Sequence, residues 1–413
     1  MANINQTVDS IGTGVRFQFA AAGDSYHVFS SVHVESTDTY AIFGDEGSQH
    51  VFVYGFVTAA VFSIFLTGGS NEVYIGRSAV IRSTISGATD TNVLVMGGNN
   101  TVTNHGAITS PSTVGLILNG GNNEVLNTGG IEGSSGVFLG VFGVPGDRFV
   151  NEGMISANDY DDANQDFRFN NGVYVEGDDS VIVNRAGGKI SAISSEGAGV
   201  AIGVYATTGG DGSHVENQGT IQSRQWYGVD FANMVDAETA SLENHGTIKG
   251  GSGAFRGNAS GEVIINRGRM IGDVELGAGD DVFDGDKGSV KGAILGGSGN
   301  DYIFGGKGNE SINGGLNDDI IVGGRGNDTL FGDSGIDTFV LRTGFGRDVV
   351  QDFIDGTDLI DLSRLKDVRN FNDLEDNHLE KHGNDMWIVA KGGDGLILKN
   401  VAPGDVDGAD FIF

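Results

Sequence analysis

The chain of 413 residues contains no cysteine, 3 prolines and 2 tryptophans, and it has 24 basic residues against 55 acidic ones. Without cysteine there is no disulfide framework, although many exported proteins depend on one. The net charge of −31 argues against a nucleic-acid partner, because phosphate binding needs basic patches. Such a polyanion also repels itself when it becomes compact. The fold therefore needs another source of cohesion.

Long hydrophobic runs are also scarce. The segment Val51–Leu66 is uncharged and rich in Phe, but it has only sixteen residues, fewer than the ~20 that span a bilayer as a helix. It is rich in β-forming residues and is interrupted by Gly55, which favours buried strands. An exposed apolar surface for association is the alternative. The N-terminus lacks the basic and apolar regions of a Sec signal peptide, and we expect no integral membrane protein.

The common catalytic motifs are absent as well. The sequence has no His-Glu-x-x-His and no Gly-x-Ser-x-Gly, which leaves a secreted zinc protease or lipase unsupported. One acidic cluster remains, and it consists of Asp159, Asp161, Asp162 and Asp166. Paired carboxylates serve polysaccharide lyases, hydrolases and epimerases, but a solvated or calcium-binding loop is the interpretation we favour. Catalysis is therefore not our leading expectation.

Glycine, by contrast, is abundant, with 71 residues. Five consecutive nonapeptides start at Gly296, Gly305, Gly314, Gly323 and Gly332 and follow the pattern Gly-Gly-x-Gly-x-Asp-x-apolar-x. We expect the glycines at repeat positions 1, 2 and 4 to adopt positive φ. The acid at position 6 adds a carboxylate, and calcium takes six to eight oxygens of this mixed kind. The apolar residue at position 8 is expected to face the core.

This array resembles the calcium-binding nonapeptide of RTX (repeats-in-toxin) proteins, which form parallel β-rolls and leave Gram-negative cells by type I secretion. The resemblance implies that two nonapeptides make one coil, so that repeats i and i+2 stack. It places Asp301, Asp319 and Asp337 on one edge, and Glu310 and Asp328 on the other. A looser repeat from Leu276 adds Asp281 to the first edge, while Glu310 and Asn317 depart from the pattern.

The segment Phe345–Leu365 resembles the stretch that follows the repeats in serralysin-type RTX proteins. That resemblance makes Asp348 and Asp358 candidate ligands, with an acidic capping hairpin as the alternative. The residues Asp410–Phe413 resemble a type I secretion signal, which makes the secretion machinery an expected partner. The predicted calcium-binding residues are Gly277, Gly279, Asp281, Gly297, Gly299, Asp301, Gly306, Gly308, Glu310, Gly315, Asn317, Asp319, Gly324, Gly326, Asp328, Gly335, Asp337, Asp348 and Asp358.

A second repeat, Asn-x-Gly-x-Ile and looser copies of it, fills the first two-thirds of the chain. It recurs at Asn104, Asn127, Asn151, Asn184, Asn217, Asn244 and Asn266, at intervals of 22 to 33 residues. Short apolar stretches with Gly and Asn corners at this period are typical of a parallel β-helix. Asparagines at equivalent corners can stack as a hydrogen-bonded ladder.

These observations predict an all-β chain. We expect a right-handed parallel β-helix of about eleven irregular coils at 1–275, continuing into a calcium β-roll at 276–340. A cap with the secretion signal is expected at 341–413.

The leading functional hypothesis is a secreted calcium-dependent structural or surface protein, such as an S-layer, matrix or adhesin-like protein. It would fold and self-assemble on external calcium, since metal binding energy becomes folding energy. Expected partners are calcium ions, further copies of the chain in sheets or filaments, and cell-surface polysaccharide. The alternatives are a polysaccharide-active β-helix enzyme with an RTX secretion module and, on the family name alone, an RTX toxin or bacteriocin.

Overall fold

The computed structural model describes the chain except for residues 1–2, 7–8, 85–90, 111–112, 142–143, 159–170, 178, 194–200, 205–211, 233–239 and 391. The acidic cluster Asp159–Asp166 lies outside the described residues. The chain divides into two units. Unit 1 comprises Met1–Glu238 and Ile248–Ser252, and unit 2 comprises Thr239–Thr247 and Gly253–Phe413.

Short strands make up almost all of the described secondary structure. The first strands are β1 (Asn3–Gln6), β2 (Ser10–Gly12), β3 (Phe17–Gln18), β4 (Ser25–Val28), β5 (His33–Ser36), β6 (Tyr40–Gly44), β7 (His50–Val53), β8 (Phe56–Ala59), β9 (Phe62–Leu66), β10 (Glu72–Ile75), β11 (Val80–Ser83), β12 (Val93–Val95), β13 (Thr101–Asn104), β14 (Ala107–Thr109), β15 (Val114–Asn119), β16 (Glu124–Asn127), β17 (Gly130–Gly133), β18 (Ser135–Val141), β19 (Arg148–Asn151), β20 (Met154–Ala157), β21 (Val173–Val175), β22 (Val181–Asn184), β23 (Lys189–Ala192), β24 (Ile202–Val204), β25 (His214–Asn217), β26 (Thr220–Ser223) and β27 (Tyr227–Asp230). The remaining elements are β28 (Ser241–Asn244), β29 (Thr247–Arg256), β30 (Val263–Asn266), β31 (Arg269–Ala278), β32 (Val282–Asp284), β33 (Ser289–Lys291), β34 (Ala293–Ser298), β35 (Tyr302–Gly306), β36 (Ser311–Leu316), β37 (Ile320–Gly324), β38 (Thr329–Ser334), β39 (Thr338–Arg342), β40 (Arg347–Val350), β41 (Leu359–Arg364), the helix α1 (Phe371–Asn377), β42 (Leu379–His382), β43 (Asp385–Val389), β44 (Gly395–Leu398), a 3₁₀ turn (Gly408–Asp410) and β45 (Phe411–Ile412).

Unit 1 is a stack of coils joined by parallel pairing. In one face, Val51 of β7 pairs with Tyr26 of β4 on one side and Val73 of β10 on the other. Alternate side chains along each strand are buried, as in β7 and β10, because successive side chains point to opposite sides of a strand. The inward residues are mostly Val and Ile, which suit a narrow core. The predicted parallel β-helix is confirmed.

Unit 2 stacks its nonapeptides in the same manner. Ile303 of β35 pairs with Phe283 of β32 and with Ile321 of β37, so repeats two apart are neighbours. The position 8 residues Ile303, Ile312, Ile321, Leu330 and Phe339 are all buried. Two nonapeptides therefore make one coil, and position 8 faces the core, as predicted.

Asparagines at the ends of strands form hydrogen-bonded ladders. Each Nδ2 donates to the Oδ1 of the next member at 2.8–2.9 Å along the series Asn104, Asn127, Asn151, Asn184 and Asn217. Asn244 donates to Asn266 in the same way at 2.8 Å. All seven side chains are fully buried. A side-chain amide has both a donor and an acceptor, so each inner member of the series accepts one hydrogen bond at Oδ1 and donates the next from Nδ2. The predicted ladder is confirmed.

The apolar segment Val51–Leu66 forms the end of β7 and the strands β8 and β9. Its inward residues, which include Val53, Val57 and Ile64, are fully buried, and this confirms the interpretation as buried strands. Its outward aromatic residues remain accessible: Tyr54 is 38% exposed and Phe56 is 43% exposed. No helix among the described residues is long and apolar enough to cross a membrane.

Candidate metal centre

A row of acidic side chains follows one edge of unit 2, each immediately before a strand of one face. We call it the first acid row, and its members are Asp281, Asp301, Asp319, Asp337 and Asp358. The main-chain N–H of each member donates to Oδ1 of the next at 2.8–3.1 Å. All five are buried, with at most 3% exposure. One carboxylate oxygen of each acid after Asp281 is thus committed to joining two coils.

The second acid row, formed by Glu310, Asp328 and Asp348, follows the opposite edge. The N–H of Glu310 donates to Asp328 Oδ1 at 2.7 Å, and the N–H of Asp328 donates to Asp348 Oδ1 at 3.0 Å. Asp348 and Asp358 therefore end the two rows, beyond the last nonapeptide. The antiparallel hairpin of β42 and β43 contains neither of them.

The remaining carboxylate oxygens show that the rows fit a cation. Five buried oxygens have no hydrogen-bond partner, namely Oδ2 of Asp281, Asp301, Asp319 and Asp328, and Oε2 of Glu310. A buried charge without a partner is costly. Within the described residues, no three acidic, histidine or cysteine side chains form a group that could hold a metal alone. Any site here combines a few carboxylates with backbone carbonyls, a donor set that suits calcium.

Burial also changes the protonation of these acids. It raises the pKa of Asp301 to about 6 and that of Asp319 to about 7. Burial together with the neighbouring carboxylate of Asp328 raises the pKa of Asp348 to about 8. A raised carboxyl pKa means that the charged form lacks compensation. In the absence of metal the rows hold protons more tightly than free carboxylates do.

Glycines shape the turns in two different ways. Gly297 and Gly299, at repeat positions 2 and 4, have φ of 111° and 129°, a region that favours glycine. The expectation of positive φ is wrong for position 1. A Cβ on Gly296 would lie 2.4 Å from Asp301 Oδ2, and one on Gly314 would lie 2.3 Å from Asp319 Oδ2. At Gly296, Gly314, Gly323 and Gly332 the carboxylate occupies the space of a side chain, whereas at Gly305 the carbonyl oxygen of Gly323 occupies it.

The family profile described as the RTX calcium-binding nonapeptide repeat matches this region in four copies, at residues 274–289, 293–321 and 304–339. These residues are RTX calcium-binding repeats. The profile thus agrees with the acid rows and their glycine turns.

Two solved structures contain regions that align with this chain. The extracellular lipase LipA from Serratia marcescens is 15% identical, with a TM-score of 0.21, over 54% of this chain and 42% of the lipase chain. The AlgE6R3 subunit of the Azotobacter vinelandii mannuronan C5-epimerase is 20% identical, with a TM-score of 0.16, over 37% of this chain and 78% of that subunit. This chain thus covers less than half of the lipase. No curated protein sequence matches the chain.

The departures from the RTX pattern at Asn317 and Glu310 have different consequences. Asn317 adopts φ of 79°, a region that asparagine tolerates better than most residues, so the turn is kept. In the Glu310 repeat, Gly306 and Gly308 do not adopt positive φ, and the expectation is wrong there. The longer Glu310 side chain reaches back into its own turn, where its Oε1 accepts the N–H of Gly308 at 3.0 Å.

The left-handed glycines among the predicted residues are Gly277, Gly279, Gly297, Gly299, Gly315, Gly324, Gly326 and Gly335.

The residues at position 5, which the RTX pattern leaves variable, also join the coils. The N–H of Asn300 donates to Asp280 Oδ1 at 2.8 Å, and the N–H of Asp318 donates to Asn300 Oδ1 at 3.0 Å. Asn309 accepts the N–H of Asn327 in the same way at 2.9 Å. The available signal was Asn or Asp at position 5 in five of the six repeats from Leu276 onward.

Proposed function

We propose that this chain is a secreted, calcium-dependent structural or surface protein whose RTX repeats fold when calcium binds. The supporting observation is the pair of acid rows, with five buried carboxylate oxygens that no hydrogen bond compensates. A divalent cation supplies the missing positive charge. Since the unfolded chain has no preformed site, binding energy then appears as folding energy.

The net charge of −31 fits this order of events. Where calcium is scarce, repulsion among carboxylates opposes compaction and keeps the repeats loose enough for export, for which we propose the type I route. At about millimolar external calcium, sites of extracellular type become occupied. Calcium then takes the place of the disulfide bonds that the chain lacks.

For assembly we propose a contact through the aromatic patch, which we define as Phe29, Tyr54 and Phe56. These side chains are 42%, 38% and 43% exposed. The turn at Gly55 stacks on the preceding coil, where an added Cβ would lie 2.4 Å from the carbonyl oxygen of Phe29. The patch therefore continues across two coils. A second copy of the chain is the proposed occupant, in a head-to-tail contact with another part of its surface, because a contact of that kind that does not close generates a filament.

Negative-stain electron microscopy of the purified chain during a calcium titration tests the proposal. We expect ordered sheets or filaments in millimolar calcium and their loss when EGTA is added. Particles that stay monomeric throughout the titration, with calcium bound, contradict the structural role. In that case incubation with acidic and neutral polysaccharides, followed by measurement of chain length and uronate composition, tests the enzymatic alternative.

A further inference from the structure

A buried carboxylate lies one coil before the RTX repeats, outside the matched residues. Glu262 immediately precedes β30 and is 1% exposed. Its main-chain N–H donates to Asp281 Oδ1 at 2.5 Å, which is the same bond that joins successive members of the first acid row. Glu262 therefore occupies the next position of that row.

The segment Gly257–Ile265 is a nonapeptide in structure although its sequence, GNASGEVII, conceals it. Val263 pairs with Val282, and the N–H of Ala278 donates to the carbonyl oxygen of Asn258 at 2.8 Å. This register puts Glu262 at position 6 and Ile264, which is fully buried, at position 8. Positions 2 and 4 hold Asn and Ser, so the glycine pattern is lost.

The carboxylates of Glu262 and Asp281 both have an uncompensated oxygen. Glu262 Oε2 accepts the N–H of Asn258 at 3.2 Å, while Glu262 Oε1 and Asp281 Oδ2 are buried and have no partner. The Asn258 Nδ2 is also without a partner. Burial first, and then the charge of Asp281, raise the pKa of Glu262 to about 9. Two neighbouring acids thus share a corner in which both charges are uncompensated.

We propose that Glu262 and Asp281 bind an additional calcium ion at the N-terminal end of the first acid row. The chemistry is that of a hard divalent cation with oxygen ligands. The proposal rests on the proposed calcium-dependent folding, because it extends the same row by one coil. The competing state is a protonated Glu262 that shares its proton with Asp281.

The coil of Glu262 also takes part in the hydrogen bonds between asparagine side chains. Asn266, at the far end of β30, accepts the side-chain N–H of Asn244 at 2.8 Å. A calcium ion at Glu262 therefore fastens the metal-binding coils of unit 2 to a coil that is held by amides. Loss of this ion would weaken the contact between the coils of Glu262 and Asp281, both within unit 2, and would leave the calcium sites nearer the C-terminus in place.

A crystal structure of the full chain grown in calcium, with anomalous scattering recorded from calcium or terbium, tests the site without any substitution. We expect a peak about 2.3–2.6 Å from Glu262 Oε1 and Asp281 Oδ2. A filled site at Asp301 and Asp319 beside an empty corner at Glu262 overturns this inference alone. Empty corners along the whole row overturn the proposed calcium-dependent folding as well.

Calcium stoichiometry gives a second measurement in solution. Glu262→Gln keeps the size and removes the charge, and its matched control is Glu243→Gln, which alters an exposed acid that contacts His245 in the preceding coil. By isothermal titration we expect one calcium fewer per chain for Glu262→Gln and an unchanged number for the control. If both variants bind as many ions as the native chain, Glu262 holds a proton and the inference is wrong. Circular dichroism in calcium verifies that each variant is folded.

Discussion

Asn123 donates both its main-chain N–H and its side-chain Nδ2 to Oδ1 of Asp147, each at 2.9 Å. The preceding coils repeat this arrangement with amides: Asn71 donates to Asn100, and Asn100 donates to Asn123. These residues lie immediately before a strand, as Asp301 and Asp319 do in unit 2. An amide side chain supplies N–H donors as well as an oxygen acceptor, whereas an ionised carboxylate supplies acceptors and a negative charge but no donor. The corners at Asn71 and Asn100 are thus closed by amides, whereas the corners of the acid rows keep a negative charge, for which calcium is the proposed partner.

Calcium removal should therefore affect the two units differently. In EGTA we expect faster deuterium uptake in β35, β37 and β39, because without metal the successive carboxylates within each acid row repel one another. Uptake in β13, β16 and β19 should change little, since the asparagine ladder is complete. Hydrogen exchange with mass spectrometry measures both. Equal responses in the two units, or no response, contradict the proposed role of calcium.

Asp319→Asn should stabilise the metal-free chain and reduce the stabilisation that calcium supplies. The amide removes a buried charge, so we expect a more stable metal-free chain. It also removes a proposed calcium ligand, so the stabilisation gained from calcium should fall by about 1.4 kcal/mol for each tenfold loss of calcium affinity. Thermal unfolding in EGTA and in calcium measures the two effects.

Asp318→Asn is the matched control for this experiment, because Asp318 is the exposed neighbour and its Oδ1 accepts the N–H of Ile336 at 2.8 Å. An amide oxygen can keep that bond. A similar loss of calcium-linked stabilisation in both variants would show that general charge, and not the buried position, decides binding.

Asp147 should make unit 1 sensitive to pH. Its Oδ2 is buried without a partner, and burial raises its pKa from 3.8 to about 6. The folded chain thus binds this proton more tightly than the unfolded chain. The stabilisation is complete below about pH 4 and is lost as the pH rises through about 6.

Asp147→Asn should remove this pH dependence and stabilise the chain above pH 6 by on the order of 2–3 kcal/mol. Chemical unfolding of the native chain and the variant between pH 4 and pH 8, both in EGTA, measures the difference. Parallel stability curves for the two proteins contradict the assignment.

Asn127→Ala should destabilise the chain whether or not calcium is present. The substitution leaves Asn151 Oδ1 without the donor that it has at 2.8 Å and removes the acceptor of Asn104. An unpaired buried polar group costs about 1–3 kcal/mol. Denaturant unfolding in calcium and in EGTA should show the same loss, and Thr101→Ala, on the exposed side of β13, should show almost none. A loss of stability seen only in calcium would show that the ladder contributes to stability only when metal is bound, which contradicts this prediction.

The aromatic patch should govern assembly without governing folding. Phe29→Ser, Tyr54→Ser and Phe56→Ser together should abolish sheets or filaments in calcium while the chain still folds, as circular dichroism in calcium would show. The melting temperature should fall, because more than half of each side chain is covered in the folded chain. Met154→Ser, which alters a lone apolar residue that is 55% exposed, is the control. Assembly that persists in the triple variant, as seen by electron microscopy, places the contact elsewhere.

Much of this architecture could be predicted from the sequence wherever a residue type recurs at one position of a repeat and has a single role there. Asp301 and Asp319 were predicted because the nine-residue period fixes both the turn and the acid, and the asparagine ladder was predicted because Asn recurs in one motif. Glu262 was missed because its coil lacks the glycines that mark a repeat. The role of Gly296 could not be predicted, since it depends on a distance to Asp301 that only a folded turn defines.

The hydrogen bonds of the first acid row all run in one direction, and this gives the roll a polarity. The N–H of Asp319 depends on an oxygen of Asp337, and the N–H of Asp337 depends on Asp358, always toward the C-terminus. A truncation from the C-terminal side therefore leaves a buried main-chain N–H without its acceptor in the coil that remains. A truncation from the N-terminal side leaves only a carboxylate oxygen without its donor. Shortening the roll is thus not symmetrical, and each coil relies on the one translated after it.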